Sequence, residues 1–364
     1  MLGSIAESTS VSSCSMHGEN LLERARRLCE IEPPARRWTR KSLTAAQNNL
    51  SYSLDSETHQ RIDDAIVFAR HNGLNADNIE QEDFRLPEFA KHISSLREQL
   101  DTGCGFVVIR NIPVNRYADD IDASEIIAWG LANYFGRPLR QGITTDRRMF
   151  SVTDQGSTNN DPTRIGASSK RSAMHSDNGC LEPRPPCYIA LMCVESAAKG
   201  GESRLISART LFSIIDQERP DLLPIYFEQF AFRSPQLHVW PSGKPYIHKP
   251  IFEISHNELR VHYARVMIEP GMEMAGTPLT SGQLEALDYL DTVLDRDVLC
   301  YQTQLESGHM LVINNVVMLH GREAFSPETG QHRLLKRIWM RRRHLTPGDD
   351  PMALDLEEFD QHEI

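Results

Sequence analysis

Apolar residues recur at helical spacing over the first hundred positions and at strand-like spacing after them. Segments 20–31 (NLLERARRLCEI), 57–73 and 87–103 set apolar side chains three and four residues apart, which predicts amphipathic helices; Gly73 and Gly103 end the second and third. The run 105-GFVVIRNIP-113, bounded by Gly and Pro, predicts a buried strand. The run 122-DASEIIAWGLANYFG-136 predicts a helix with a polar cap and a glycine end. From Met149 onward short β-like runs dominate, at 188–194, 203–208, 259–268, 309–315, 316–321 and 333–341. Helical insertions over 209–230 and 281–297 interrupt them. Helices first, then many short strands, predict an α+β chain with a mainly β core: a sandwich or jelly roll (a double-stranded β-helix) wrapped by helices. No internal repeat is visible. The Ser-rich residues 1–20 are expected to be disordered, 21–342 to form a single domain, and 343–364 an acidic, loosely held tail.

Composition narrows the function without naming it. The 364 residues are 40% hydrophobic and 24% charged, ordinary values for a soluble globular chain. The net charge of −11 argues against a nucleic-acid partner, whose binding rests on neutralising phosphates. Local basic patches remain possible; one, 340-MRRRH-344, reads as a solvated strand end. No run of eighteen apolar residues predicts a membrane span, the N-terminus lacks a secretory pattern, and the C-terminus carries no KDEL- or SKL-type sequence. Seven cysteines, an odd number with no C-x-x-C pair, support neither a disulfide framework nor a structural zinc site. Reduced thiols in a cytoplasmic compartment are the expectation.

The chemistry concentrates around 174-MHSDNG-179. Alternate residues of a strand share a face, so His175 and Asp177 are expected to project together. The pattern H-x-[DE] is common: it occurs here at His17, His175 and His256. His17 lies in the Ser-rich start and His256 in a turn-like stretch. Three further features favour His175–Asp177. His320 ends the apolar run 316-VVMLHG-321 and supplies a third ligand; two histidines and one carboxylate make a facial triad with open positions on a ferrous ion. Arg333, Leu335, Arg337 and Trp339 share one face of a strand over 333–341, and an inward arginine is costly unless it meets an anion. Ser203, after 200-GGE-202, offers a hydroxyl that can share a carboxylate with Arg333. Each feature alone also fits a plain structural role: an edge histidine, a surface charge ladder, a turn serine.

Taken in order, these residues resemble the iron(II)/2-oxoglutarate-dependent dioxygenases of the TauD/TfdA (taurine dioxygenase, clavaminate synthase-like) superfamily. His175-x-Asp177 is followed by 25 residues before Ser203; 142 residues separate Asp177 from His320, and 12 separate His320 from Arg333. Local texture is similar in 185-PPCYIALMCVESAAKGGES-203, 308-GHMLVINNVVMLHGREAF-325, 103-GCGFVVIRNIP-113 and 134-YFGRPL-139. The similarity spans roughly residues 100 to 342. It departs from the family at His309, where an acidic residue is frequent, and at Ser203, where threonine is common but the hydroxyl is kept. Asp177 retains the carboxylate that halogenating variants lack.

The resemblance implies that His175, Asp177 and His320 bind Fe(II), and that Ser203 and Arg333 bind the far carboxylate of 2-oxoglutarate. O2 and 2-oxoglutarate would become succinate and CO2 while a C–H bond of a small molecule is hydroxylated, desaturated or cyclised. Arg337 lies about 13 Å along the strand from Arg333 at ~3.3 Å per residue. Two roles stay open for it: binding the carboxylate of a small acid or amino acid, or pairing with an acidic residue of the protein. Asn178 is a further substrate-binding candidate, and Trp339 reads as core. Substrate choice is expected to lie in loops 140–157 and 234–246. The same iron centre acting on a protein or nucleic acid, and a non-catalytic jelly-roll binding protein, are the alternatives. A zinc hydrolase is disfavoured because its helical H-E-x-x-H is absent. A homo-oligomer is compatible with everything above.

Overall fold

The computed structural model describes residues 12–31, 34–45, 50–139, 149–154, 168–177, 185–234, 243–255, 257–326 and 333–342. Two β-sheets face each other. The larger runs in the order Ser51–Ser53, Phe106–Arg110, Met310–Asn314, Tyr188–Glu195, Leu334–Arg341 and Arg137–Pro138, with Phe150–Thr153 also paired to Leu334–Arg341. The smaller has four strands, Tyr301–Thr303, Ser203–Ser207, Met318–Arg322 and Ser172–His175. Sequence neighbours Met310–Asn314 and Met318–Arg322 lie in different sheets, so the chain crosses the sandwich there, as a jelly roll requires.

Period-two alternation decides which side chains fill which layer. Between the sheets lie Phe106, Val108, Cys193, Leu311, Ile313 and Leu335 of the larger and Leu205, Met318 and Tyr301 of the smaller. The intervening residues Val107, Ile109, Met310, Val312 and Ile338 point the other way, against the helices Ser56–His71, Pro87–Asp101 and Ile121–Phe135. Asp55 and Asp120 cap two of these helices by accepting from the backbone N–H of Thr58 and Ala123. Met174, Ile206 and Leu319 of the smaller sheet pack outward on the helices Ala208–Glu218, Arg265–Met274 and Ser281–Leu294. Full burial of such apolar side chains is worth roughly 1.5–3 kcal/mol each. The four-layer packing therefore holds both sheets rigidly about the space between them.

Four expectations need correction. The helix expected from residue 20 begins at Ser12, inside the stretch expected to be disordered; once a helix is nucleated, each added residue costs little. The β-like run 259–268 divides into the strand Glu258–Val261 and the helix Arg265–Met274. Leu259, Val261 and Tyr263 are buried in the strand half while Val266 is exposed in the helical half, and the run gives no break at which the two separate. Gly271 permits the close helix packing: a Cβ there would stand 2.2 Å from the carbonyl oxygen of Ala231. The helix expected over 209–230 stops at Glu218, before Pro220, and is followed by a 3-10 turn at Leu223–Phe227 and the strand Phe230–Arg233. The basic run beginning at Met340 is not a solvated end in its described part. Arg341 donates to the carbonyl of Pro185, and Arg342 pairs with Asp101 at 3.0 Å. The C-terminal tail lies outside the described residues. No helix among them is long and apolar enough to cross a membrane, and no disulfide joins the five described cysteines.

Candidate metal and anion site

His175 and His320 are direct cross-strand partners in the antiparallel pair Ser172–His175 and Met318–Arg322. Met174 and Leu319 face outward, so both imidazoles point between the sheets, with ring centroids 4.5 Å apart at 44°. His175 is the last residue of its strand. Asp177 lies one residue beyond it in a turn, so strand alternation does not by itself place the carboxylate. Backbone contacts do. The N–H of Ser176 donates to Tyr263 O at 2.9 Å, and Ser176 Oγ accepts from the N–H of Tyr263 at 3.1 Å. Asn315 then clamps Asp177 from both sides. Its Oδ1 accepts from the Asp177 N–H at 2.8 Å, and its Nδ2 donates to the Asp177 carbonyl at 2.9 Å and to Pro186 O at 3.0 Å.

The two oxygens of Asp177 face different partners. Oδ1 lies 3.3 Å from His175 Nε2 and 3.8 Å from His320 Nε2. Oδ2 accepts from Arg337 Nη1 at 3.0 Å and from the indole Nε1 of Trp339 at 2.8 Å. Burial alone would raise the carboxyl pKa, but Arg337 and the two histidines outweigh it and hold Asp177 well below the usual carboxylate range. His175 directs Nδ1 at the carbonyl of Ala173, 2.8 Å away, so that nitrogen donates and Nε2 faces the site. Burial first, and then His175, push His320 down to about 3, so its ring is neutral. Its Nδ1 is buried with no hydrogen-bond partner among the described residues.

Two imidazoles and one carboxylate oxygen thus offer donor atoms that all lie within 4.8 Å of one another, the donor set of a non-haem ferrous centre. One carboxylate oxygen is aimed at the centre and the other is committed to protein donors, which fits a ligand that binds through a single oxygen.

A buried cation stands just before the strand that carries Arg337 and Trp339. Arg333 is 5% exposed and its Nη1 has no hydrogen-bond partner among the described residues; burial lowers its pKa to about 10. Its guanidinium carbon stands 5.5 Å from the Phe325 ring centroid, and Gly201 leaves room beside it: a Cβ there would be 3.2 Å from Arg333 Nε. Ser203, also buried, lies on the facing sheet with its side chain inward, sharing that face with Leu205. Arg337 is partly exposed, stacked at 5.3 Å on Phe150 and 4.7 Å on Trp339. Asn178 and most of the loops at 140–157 and 234–246 lie outside the described residues. Sequence reasoning missed Asn315 and the polar role of Trp339. The signal for Asn315 was an Asn pair inside an apolar stretch, since a buried amide needs partners.

A jelly roll with a His-Asp-His donor set between its sheets and a buried arginine alongside defines the class of non-haem iron oxygenases. The chain belongs to the taurine catabolism dioxygenase TauD, TfdA family, whose model matches residues 70–339. It is an iron(II)/2-oxoglutarate-dependent dioxygenase, as the sequence resemblance implied. Among curated proteins it is 25% identical over 313 residues to FR-33289 synthase of Streptomyces rubellomurinus, covering 83% of this chain and 88% of that one. It is 23% identical over 320 residues to the taurine hydroxylase-like protein SAT17 of Stachybotrys chartarum, covering 82% and 77%. Among solved structures, asparagine oxygenase in complex with Fe(II), 3-hydroxyasparagine and succinate superposes with a TM-score of 0.61 at 18% identity, over 80% of this chain and 93% of that one. The oxygenase OrfP in complex with Fe and α-ketoglutaric acid gives 0.59 at 17%, with the same coverage. These two likenesses establish the shared fold.

Proposed function

We propose that His175, Asp177 and His320 hold the ferrous ion, that Arg333 and Ser203 hold the distal carboxylate of 2-oxoglutarate, and that the substrate is a small carboxylate-bearing molecule such as an amino acid. The observation that carries the metal assignment is the division of labour within Asp177, with Oδ1 beside both imidazoles and Oδ2 held by Arg337 and Trp339. Iron(II) bound there, with 2-oxoglutarate and O2, supplies the oxidising chemistry, in which succinate and CO2 are formed and a substrate C–H bond is oxidised.

The protein's own residues orient and insulate that chemistry. The Ala173 carbonyl fixes the His175 tautomer, and the Asn315 clamp fixes the Asp177 backbone. Arg333 lies in a dry layer, where a carboxylate–guanidinium pair is stronger than in water. Arg337 borders the site beside Asp177 and is the cation best placed for a substrate carboxylate. The amino-acid reading draws support from the two structural neighbours, whose structures hold a hydroxylated asparagine and, in another OrfP complex, a hydroxylated arginine. The cytoplasmic setting is part of the same proposal.

The test is anaerobic. Fe(II) and 2-oxoglutarate added to the purified protein should give the weak visible metal-to-ligand charge-transfer band, absent from His175→Ala. A His175→Ala protein that keeps the band removes His175 from the centre. Iron-loaded wild type with no band removes 2-oxoglutarate. Succinate release with a panel of amino acids and small acids then identifies the substrate.

A further inference from the structure

Arg322 is a second buried arginine, on the inner face of the smaller sheet. It follows His320 by two residues in one strand, and Met318 of that strand also points between the sheets. It is 7% exposed, with its guanidinium carbon 4.8 Å from the centroid of the same Phe325 ring that Arg333 approaches at 5.5 Å. Its cross-strand partners are Ser203 on one side and, past a register irregularity after His320, Ser172 on the other. Directly opposed residues of antiparallel strands carry their side chains on one face with Cβ atoms about 5 Å apart. Ser203 therefore has Arg322 as its lateral neighbour.

Two buried guanidiniums at one phenyl ring repel each other and are costly without an anion. Among the described residues neither forms a hydrogen bond or salt bridge to a carboxylate; Asp154 attracts Arg322 only at longer range. Arg322 Nη2 is tethered to the carbonyls of Ser168 and Lys170, while Arg322 Nε and Arg333 Nη1 are buried without partners. Two unmet donors from two cations, with a hydroxyl in the opposed position, match the several lone pairs of one carboxylate.

We propose that Arg322 is a second cation for the distal carboxylate of 2-oxoglutarate, so that this end of the cosubstrate is held by Arg322 and Arg333 together with Ser203. This rests on the 2-oxoglutarate reading above. Arg322 thereby selects dicarboxylic over monocarboxylic 2-oxo acids.

The test compares 2-oxoglutarate with 2-oxopentanoate, which keeps the chelating keto-acid end and lacks the distal carboxylate. Binding to the Fe(II)-loaded protein is titrated without O2 by the charge-transfer band. Arg322→Gln should weaken 2-oxoglutarate at least tenfold and change 2-oxopentanoate less than twofold, and Arg322→Lys should recover part of the loss. Equal weakening of both acids would mean a structural role through Ser168 and Lys170, and would overturn the proposal, as would unchanged 2-oxoglutarate affinity. Should Arg322→Gln not fold, Arg322→Lys alone decides: a selective loss for 2-oxoglutarate supports the proposal, and no selectivity refutes it. Wild type that gives no band with 2-oxoglutarate sinks the underlying reading as well, and so is distinct from failure of this inference alone.

Discussion

Trp339 and Asp177 are joined by a 2.8 Å hydrogen bond from the indole N–H to the carboxylate oxygen that faces away from the imidazoles. A tryptophan that sequence pattern assigns to the core therefore positions a metal-ligating candidate. Trp339→Phe keeps most of the packing and removes the N–H. Loss of such outer partners costs roughly 10–100-fold in metal affinity, and anaerobic Fe(II) titration should show a fall in that range with little change in melting temperature. Unchanged affinity would make the bond incidental.

Asn315 meets three backbone groups, all belonging to the buried residues Asp177 and Pro186. Asn315→Ala leaves a buried N–H and two carbonyls short of a partner, at about 1–3 kcal/mol for each group left unsatisfied. Urea denaturation should register a loss of several kcal/mol. Asn315→Asp should be worse, because a carboxylate cannot donate to Asp177 O or Pro186 O. Wild-type stability in either variant would show that the turn holds Asp177 without the clamp.

The helix Arg265–Met274 depends on a missing side chain. Gly271→Ala would place Cβ 2.2 Å from Ala231 O and 2.6 Å from Arg233 N, both backbone atoms of a buried strand. Overpacking of this kind costs about 1–3 kcal/mol or more. Gly282→Ala is the control: its nearest neighbour is Ile225 Cδ1 at 3.7 Å, and it lies in the helix Ser281–Leu294. That variant should be neutral or gain up to about 1 kcal/mol. Parallel melting curves that place the two variants together would refute the packing argument.

Glu258 carries a pH signature. It is packed among Arg36 at 3.2 Å, Arg260 at 3.3 Å and Arg342 at 3.9 Å. Burial opposes its ionisation, but Arg342, Arg36 and Arg260 prevail and hold its pKa below 4.5. A depressed folded-state pKa contributes stability that is complete above the unfolded value and is lost as pH falls through the folded one. Glu258→Gln should therefore be less stable than wild type at pH 7, with the gap narrowing below about pH 4.5. A gap that does not change between pH 7 and pH 3.5 contradicts the assignment.

Much of this was legible in the chain, for local reasons. The alternation that placed Arg333, Leu335, Arg337 and Trp339 on one face is a property of any strand, and Leu335 does lie between the sheets. The order of the candidate ligands needed only the sequence. What escaped was tertiary. Asp177 is set by Asn315, 138 residues away. Arg337 was left between a substrate carboxylate and a protein acid; it meets Asp177 itself, a pairing that no spacing encodes. The run 259–268 failed because Leu259, Val261 and Tyr263 alternate as in a strand and the apolar texture continues into the helix without a break.

The direct opposition of His175 and His320 has a consequence for the smaller sheet as a whole. Ser172–His175 is its edge strand, four residues long, and edge strands of that length fray readily. A slip of one residue would turn His175 to the outer face and separate the two imidazoles. An ion held by both strands acts as a rivet across the sheet margin, so amide exchange and proteolytic nicking around residues 168–177 become readouts of metal loading in the resting protein.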